Sequence, residues 1–336
     1  MDVRKHITEL AKKINGTIIL PESGDLRVLK AAEMLIKDGI AKVILPAENK
    51  EAVKAAAAEA KISLSGIDII KIDRALLDDK NVEEFVKARQ KKGVSSEDAL
   101  AILDKPLYFA MMYLKSGQAD ACVCGAVYDT ADVLRAGIHV IGNAAGIKLV
   151  SSYFLMIPPE GHKIVKNPIL FADCGVNPDP SALGLKDIAI STIGSFQHLF
   201  PGEDANVAML SFSTKGSAKS KTLDKIIEAS KLLQKEYEDM KDVNIDGELQ
   251  FDAAVIADVG KIKAPGSKVA GHANIFIFPD LNSGNISYKI AERLGGFQAL
   301  GPIVQGLALP VSDLSRGSKA EDIYMVSAIM LLQKGS

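Results

Sequence analysis

The sequence predicts an α/β protein with mostly parallel sheets, on three observations. Short apolar runs of strand length alternate with amphipathic helical stretches along most of the chain, the rhythm of a parallel sheet covered on both faces. That rhythm changes near Val150, where two strand-like runs are joined by Pro158-Pro159-Glu160-Gly161-His162, as in an antiparallel hairpin. The chain of 336 residues exceeds what one core usually serves, so two domains are expected, with the change near Val150.

In order, residues 17–20 read as a strand broken at Pro21, 26–36 as a helix and 42–45 as a second strand. An Ala-rich helix over 51–60 and a third strand over 67–72 follow. Three helices are expected at 83–91, 96–103 and 107–114, then a buried strand at 121–124 and a helix at 131–140. Beyond Val150 the hairpin strands are 150–157 and 164–172. A long helix at 181–196, a strand at 207–212 and a helix at 222–240 come next. Strands at 254–256 and 275–278 and a helix at 284–294 precede the closing stretch. There Ser318 and Glu321 have capping-box spacing, so a helix should begin at Ser318. Ile323, Val326, Ile329, Met330 and Leu332 give it a buried stripe.

Composition removes several classes. A formal net charge of -2 without a strongly basic segment argues against nucleic acid as a partner. No apolar run reaches the roughly 20 residues that span a bilayer. The chain opens Met-Asp-Val-Arg-Lys-His, unlike a signal peptide. Cys122, Cys124 and Cys174 lack the spacing of a disulfide framework or zinc site, and the five histidines are scattered. A cytoplasmic protein is the expectation. No G-x-G-x-x-G follows a strand, and H-E-x-x-H and G-x-S-x-G are absent.

What chemistry there is lies in arginines, hydroxyls and one carboxylate. Ser315, Arg316 and Asp322 fall on the entry loop and first turn of the last helix, near the positive end of its dipole. They can hold an anion and move a proton; a capped helix with a solvated Arg and Asp accounts for the same residues. Thr130 and Arg135 follow the strand at 121–124, where ligands of open α/β sheets bind. Thr130 offers a hydroxyl donor and Arg135 a fork for phosphate; a helix cap and a surface Arg fit equally. The loop 211–220, with Ser213 and Thr214, is rich in hydroxyls, backbone donors and lysines, as an anion-binding loop would be. Asn282, Asn285 and Tyr288 could bind a polar ligand, or the Asn and Gly residues serve the turn alone. By spacing, Arg89 is only a basic helix end.

Taken in order, these stretches resemble the phosphate acetyl/butyryl transferase family, within it the phosphate acetyltransferases. The resemblance runs nearly end to end. It includes Leu20-Pro21-Glu22-Ser23-Gly24-Asp25-Leu26-Arg27, the Arg89 segment, Gly125-Ala126 with Thr130 and Arg135, and Asp173-Cys174-Gly175-Val176-Asn177-Pro178. It continues through Ser211-Phe212-Ser213-Thr214-Lys215-Gly216, Asp246-Gly247-Glu248-Leu249-Gln250, Phe278-Pro279-Asp280-Leu281-Asn282, Gly301-Pro302-Ile303-Val304-Gln305-Gly306 and Asp313-Leu314-Ser315-Arg316-Gly317. Tyr128 departs from the family, which often has His there.

The resemblance implies two three-layer α/β/α domains of the isocitrate/isopropylmalate-dehydrogenase kind, with the active site in a cleft between them. It puts residues 1–149 plus 306–336 in the first domain and 150–305 in the second, the C-terminal helix returning to the first. It implies a homodimer that interconverts acetyl phosphate plus CoA and acetyl-CoA plus phosphate. CoA enters as substrate, with no tightly bound cofactor and no metal. Asp322 matches the family's catalytic base, Ser315 and Arg316 its active-site pair, and Arg89 and Arg135 two substrate-binding arginines. Thr130, Ser213, Thr214, Asn285 and Tyr288 join them as expected substrate contacts. The alternatives are a phosphate butyryltransferase and a non-catalytic acetyl-CoA-sensing domain. A decarboxylating dehydrogenase would need a metal-binding Asp cluster and nicotinamide contacts, and neither is evident.

Overall fold

The structure is a computed structural model that describes residues 2–334. It divides into two compact units: Gly146–Gly306, and Asp2–Ala145 together with the chain from Leu307 onward.

The flanking segments begin with α1 (Val3–Ile14), β1 (Thr17–Ile19), α2 (Leu26–Lys37), β2 (Lys42–Ala47), α3 (Lys50–Glu59) and β3 (Ile67–Lys71). After a 3-10 turn come α4 (Asp79–Gln90), α5 (Ser96–Leu103), α6 (Pro106–Lys115), β4 (Ala121–Cys124) and α7 (Thr130–Val140). Side-chain caps fix many of the starts: Asp25 caps α2, Asn49 caps α3, Asp78 caps α4 and Ser95 caps α5.

The inner unit holds β5 (Ser151–Ile157), β6 (Ile169–Ala172), α8 (Ala182–Leu199), β7 (Ala205–Leu210), α9 (Lys221–Glu236) and β8 (Val243–Leu249). Then come α10 (Phe251–Val255), α11 (Ala257–Lys263), β9 (Ile275–Ile277), α12 (Leu281–Arg293) and β10 (Gln298–Gln305). The chain rejoins the first unit as β11 (Val311–Asp313) and α13 (Ala320–Leu332).

The first unit's sheet has the order β11-β4-β1-β2-β3, every pair parallel. Ile18, Ile19, Cys122, Val123 and Cys124 are buried, as strands covered on both faces require. α1, α2 and α13 pack together on the sheet, and α6 and α7 form a second helix group against it. α13 buries nine of its residues, so it is a core helix, apolar nearly all round. Because β1, β4 and β11 are neighbours running one way, the loops leaving their carboxyl ends emerge side by side.

The second sheet has the order β10-β5-β6-β9-β7-β8. β5 is antiparallel to both β10 and β6, and the other pairs are parallel. The expected hairpin is therefore present, with its second strand starting at Ile169. Phe171 packs edge-on against Phe276 and Phe278 in this unit's core.

One expectation is corrected, and further elements are added. Residues 254–256, read as a strand, overlap the end of α10. The strand in that region is β8, whose Val-Asn-Ile-Asp-Gly-Glu-Leu mixes polar residues into an edge position. Two strands, β10 and β11, and the first helix, α1, were not expected at all.

Candidate active site

In the first unit, the loops leaving β1, β4 and β11 are stitched together by side chains. Glu22, just past β1, is buried and accepts from four successive backbone amides of the β4–α7 loop. Its Oε1 takes Gly125 N at 3.1 Å, Val127 N at 2.7 Å and Tyr128 N at 2.9 Å, and its Oε2 takes Ala126 N at 3.0 Å. Such a row of amides would otherwise cradle an anion. Here an internal carboxylate fills it, so this loop's amides are not presented to a ligand.

Arg27, in the first turn of α2, joins all three loops. Its guanidinium pairs with Asp25 through Nε at 3.0 Å and Nη2 at 2.7 Å. The bond from Arg27 is the main influence holding the Asp25 carboxyl below the usual range. Nη1 donates to the carbonyls of Arg316 at 2.7 Å and Ser318 at 3.0 Å, and Nη2 to that of Ala126 at 2.8 Å. A third link runs from the Thr130 hydroxyl to Asp313 Oδ2 at 2.6 Å. Thr130 therefore gives its proton to a protein carboxylate, where the sequence reading gave it to a ligand. Burial pushes Asp313 up to about 6 against the Thr130 bond, helped by the charges of Glu22 and Asp129. Its Oδ1 is buried without a partner.

Ser315, Arg316 and Gly317 are exposed on this frame. Arg316 Nη1 reaches Asp129 Oδ1 at 2.9 Å, with both side chains mostly in solvent. An exposed pair of this kind is worth about 0–1 kcal/mol, so Arg316 can leave it for a ligand at small cost. Ser315 Oγ accepts from Gly317 N at 3.3 Å.

The start of α13 is corrected. The cap is Lys319, one residue later than the Ser318 expected from spacing. Ser318 N is used in a turn to Ser315 O at 2.8 Å, and its carbonyl is held by Arg27. Asp322, not Glu321, folds back on the cap: its Oδ2 accepts from Lys319 N at 2.9 Å. A lysine side chain has no acceptor, so only this half of a capping box exists.

Arg89 and Arg135 form a second group. Arg89 is half-buried, where spacing alone gave a surface position. Its Nη1 lies 3.0 Å from His139 Nδ1 and its guanidinium stands 5.9 Å from the Phe85 ring centre. Arg135 is exposed and paired with Asp132. Burial first, then the charges of Arg89 and Arg135, hold His139 below its usual range. α7 joins the two groups: Asp129 caps it, Thr130 opens it, and Arg135 and His139 follow on its later turns. Arg135 stands five positions after Thr130 along the helix, a rise of about 7.5 Å.

The other expected contacts belong to the second unit. Ser213 is buried, and its hydroxyl donates to Glu248 Oε1 at 2.9 Å. Thr214 is buried as well, and its Oγ1 accepts from Gln250 N at 2.9 Å. The loop's own amides are spent internally: Ser213 N on Ser211 Oγ, Thr214 N on Ser217 Oγ, Gly216 N on Glu248 and Ala218 N on Ser213 Oγ. The sequence reading of this loop as a ready anion cradle does not hold; it presents the side chain of Lys215, paired with Asp246. On α12, Asn285 Nδ2 donates to Cys174 O at 3.1 Å. The Tyr288 ring stacks on Phe154 at 4.0 Å between centroids.

Sequence reasoning did not single out Glu22, Arg27, Asp313 and His139, which frame these two groups. Glu22, Arg27 and Asp313 lie inside stretches that carried the resemblance, but apart from the local Arg27–Asp25 pair their partners are about a hundred residues or more away. His139 had a local signal, standing four residues after Arg135 and so on the same helix face.

A model of the family described as phosphate acetyl/butaryl transferase matches residues 2–331. A phosphate acetyltransferase from Acetivibrio thermocellus is 45% identical, covering 99% of this chain and 98% of that protein. One from Clostridium acetobutylicum is 43% identical over 99% of this chain and 98% of that protein. Among solved structures, a phosphotransacetylase from Streptococcus pyogenes superposes with a TM-score of 0.89 at 42% identity, covering 99% of each chain.

Proposed function

The chain belongs to the phosphate acetyl/butaryl transferase family, and from that membership we propose how it carries out the phosphate acetyltransferase reaction, acetyl-CoA + phosphate = acetyl phosphate + CoA. Asp322 is the base. CoA's thiol, by analogy with a free cysteine, has a pKa of about 8.5 and is a weak nucleophile until it loses its proton. Asp322 takes that proton as sulfur attacks the acetyl carbonyl. The S–C bond forms, the C–O bond to phosphorus breaks, and the phosphate leaves with the electron pair. The proton passes from Asp322 to the departing phosphate, which balances the reaction and returns the carboxylate.

Arg316 leaves Asp129 to meet charge growing on the carbonyl oxygen, a contribution of about 3 kcal/mol for a well-placed donor. Ser315 hydrogen-bonds the carbonyl or the sulfur. Arg89 and Arg135 hold the phosphate. Thr130, its proton on Asp313, fixes the α7 entry and offers its oxygen as an acceptor. In the second unit, Asn285 and Tyr288 are kept as substrate contacts. Ser213 and Thr214 take the supporting role that their internal hydrogen bonds describe. Direct attack calls for no tightly bound cofactor; CoA is a substrate. The reading extends to a homodimer in the cytoplasm, and sedimentation at a single chain mass would remove the dimer. Among the described residues no helix is long and apolar enough to cross a membrane.

The observation that carries the proposal is the Arg27 junction, which fixes the Ser315–Ser318 loop against the β4–α7 loop through three carbonyls. The test is direct: purified protein with acetyl phosphate and CoA should raise thioester absorbance. No thioester sinks the proposal, and a strong preference for butyryl phosphate replaces the acyl group in it.

A further inference from the structure

We propose that His139 is a positioning residue for Arg89: its neutral imidazole accepts the arginine's hydrogen bond and aims the guanidinium at the substrate phosphate, and protonation releases it. This rests on the reading that Arg89 binds that phosphate.

The argument begins with what the two side chains can do. Arginine has donors and no acceptor. At 3.0 Å from Arg89 Nη1, His139 Nδ1 must therefore offer a lone pair, and the ring proton sits on Nε2. The anchor matters because Arg89 has little else to fix its rotation. Its Nε is buried without a partner, and the Phe85 ring, 5.9 Å away, constrains the plane and not the direction of the fork. A bidentate grip on phosphate depends on that direction.

The surroundings set which form His139 takes. Arg89 faces it from α4 and Arg135 from its own helix, while Tyr108 of α6 lies in the field of both arginines. Asp132 brings a carboxylate to this group, already paired with Arg135. Burial and the two cations hold the imidazole below its usual range, so it is neutral at physiological pH. On acidification Nδ1 gains a proton, its acceptor is lost, and a third positive charge stands against Arg89. That charge also attracts phosphate, so the sign of the effect tells aim from attraction. Loss of aim raises KM for acetyl phosphate as pH falls; simple attraction lowers it.

The test uses the full chain, with kcat and KM for acetyl phosphate followed from about pH 8 down to about 5.5 in wild type, His139→Asn and His139→Leu. Asn keeps an oxygen acceptor near the Nδ1 position and does not titrate; Leu has no acceptor. Wild-type KM should climb only towards the acid end of the range, by less than the tenfold of His139→Leu because a lowered imidazole is incompletely protonated there, while kcat moves less. His139→Asn should hold a KM near the wild-type alkaline value at every pH, and His139→Leu a KM about tenfold higher throughout. A His139→Asn profile that tracks wild type overturns the proposal, as does an unchanged KM in His139→Leu. Should His139→Leu not fold, the Asn comparison still decides. Nitrogen NMR of the His139 ring supplies a readout independent of turnover: an Nε2–H tautomer is expected, and Nδ1–H overturns the proposal. If wild type makes no thioester, the proposed function fails. The ring then decides this inference through inorganic phosphate, which should shift His139 in wild type and not in Arg89→Ala; no difference overturns it.

Discussion

At Asp322 the structural bond and the proposed chemical step use the carboxylate differently. The Lys319 amide needs only an acceptor oxygen, whereas taking a thiol proton needs a negative charge. Asp322→Asn keeps the first and removes the second. Turnover should fall about a hundredfold to ten-thousandfold while the melting temperature stays close to wild type. Turnover near normal removes Asp322 as base. Asp313 allows a second residue-scale test, through pH. Its folded value of about 6 stands above its ordinary 3.8, so between those values the folded state binds the proton more tightly. Stability from this group is full below pH 3.8 and is lost as pH rises through about 6. The shift corresponds to about 3 kcal/mol, or roughly 5–10 °C in melting temperature. Asp313→Asn still accepts from Thr130 and does not ionise. The variant's melting temperature relative to wild type should therefore rise between about pH 4 and pH 7. A flat or falling difference contradicts the buried, partnerless Oδ1.

Among the elements, β11 has little room for change. Gly125 follows directly on β4 with φ +101, and a Cβ there would lie 2.2 Å from Asp313 Oδ1 and 2.5 Å from Leu314 N. The second contact is backbone, so β11 must move and carry Leu314–Lys319 with it. Gly125→Ala should abolish most turnover and lower the melting temperature by several degrees, through strain at a left-handed position and the parting of β4 from β11. Wild-type activity in that variant means the junction tolerates displacement. The same elements show what a sequence can disclose. β1, β2, β4 and β7 were legible because interior strands buried on both faces read as apolar runs. β8 was not, being an edge strand that keeps Asn244, Asp246 and Glu248. β10 hides behind Gly301 and Pro302, residues an edge strand tolerates and a sequence reader takes for a turn. Near the site, the start of the last helix was legible because cap chemistry is local, whereas the expected roles of Arg316 and Asp322 came from the resemblance alone. Even so, the cap moved by one residue, because Arg27 holds the Ser318 carbonyl from far along the chain. Glu22, whose amide partners lie about a hundred residues on, had no local signal at all.

For the whole molecule, the first unit is made of two segments that meet where the chain leaves and re-enters it. Asn143 bridges Leu307, and Ala308 N donates to Gly142 O at 3.0 Å. The ends created by excising Gly146–Gly306 therefore lie within reach of a short linker. Residues 2–145 joined to 307–334 by a few glycines and serines should fold, and Gly146–Gly306 alone should fold as well, each having its own sheet and core. Residues 2–145 without the return segment should not. That deletion removes the burial of Ile323, Met325, Val326, Ile329, Met330 and Leu331 and bares β4. At about 2 kcal/mol for each large side chain, the loss is on the order of 10 kcal/mol, as large as the whole stability of an ordinary domain. Thermal unfolding followed by circular dichroism separates the cases. A cooperative transition is expected in the spliced chain and in the inner fragment, and none in residues 2–145 alone. Cooperative melting of that last fragment means α13 is attached to the first unit without being part of its core. Failure of the spliced chain means the first unit depends on the inner one to fold.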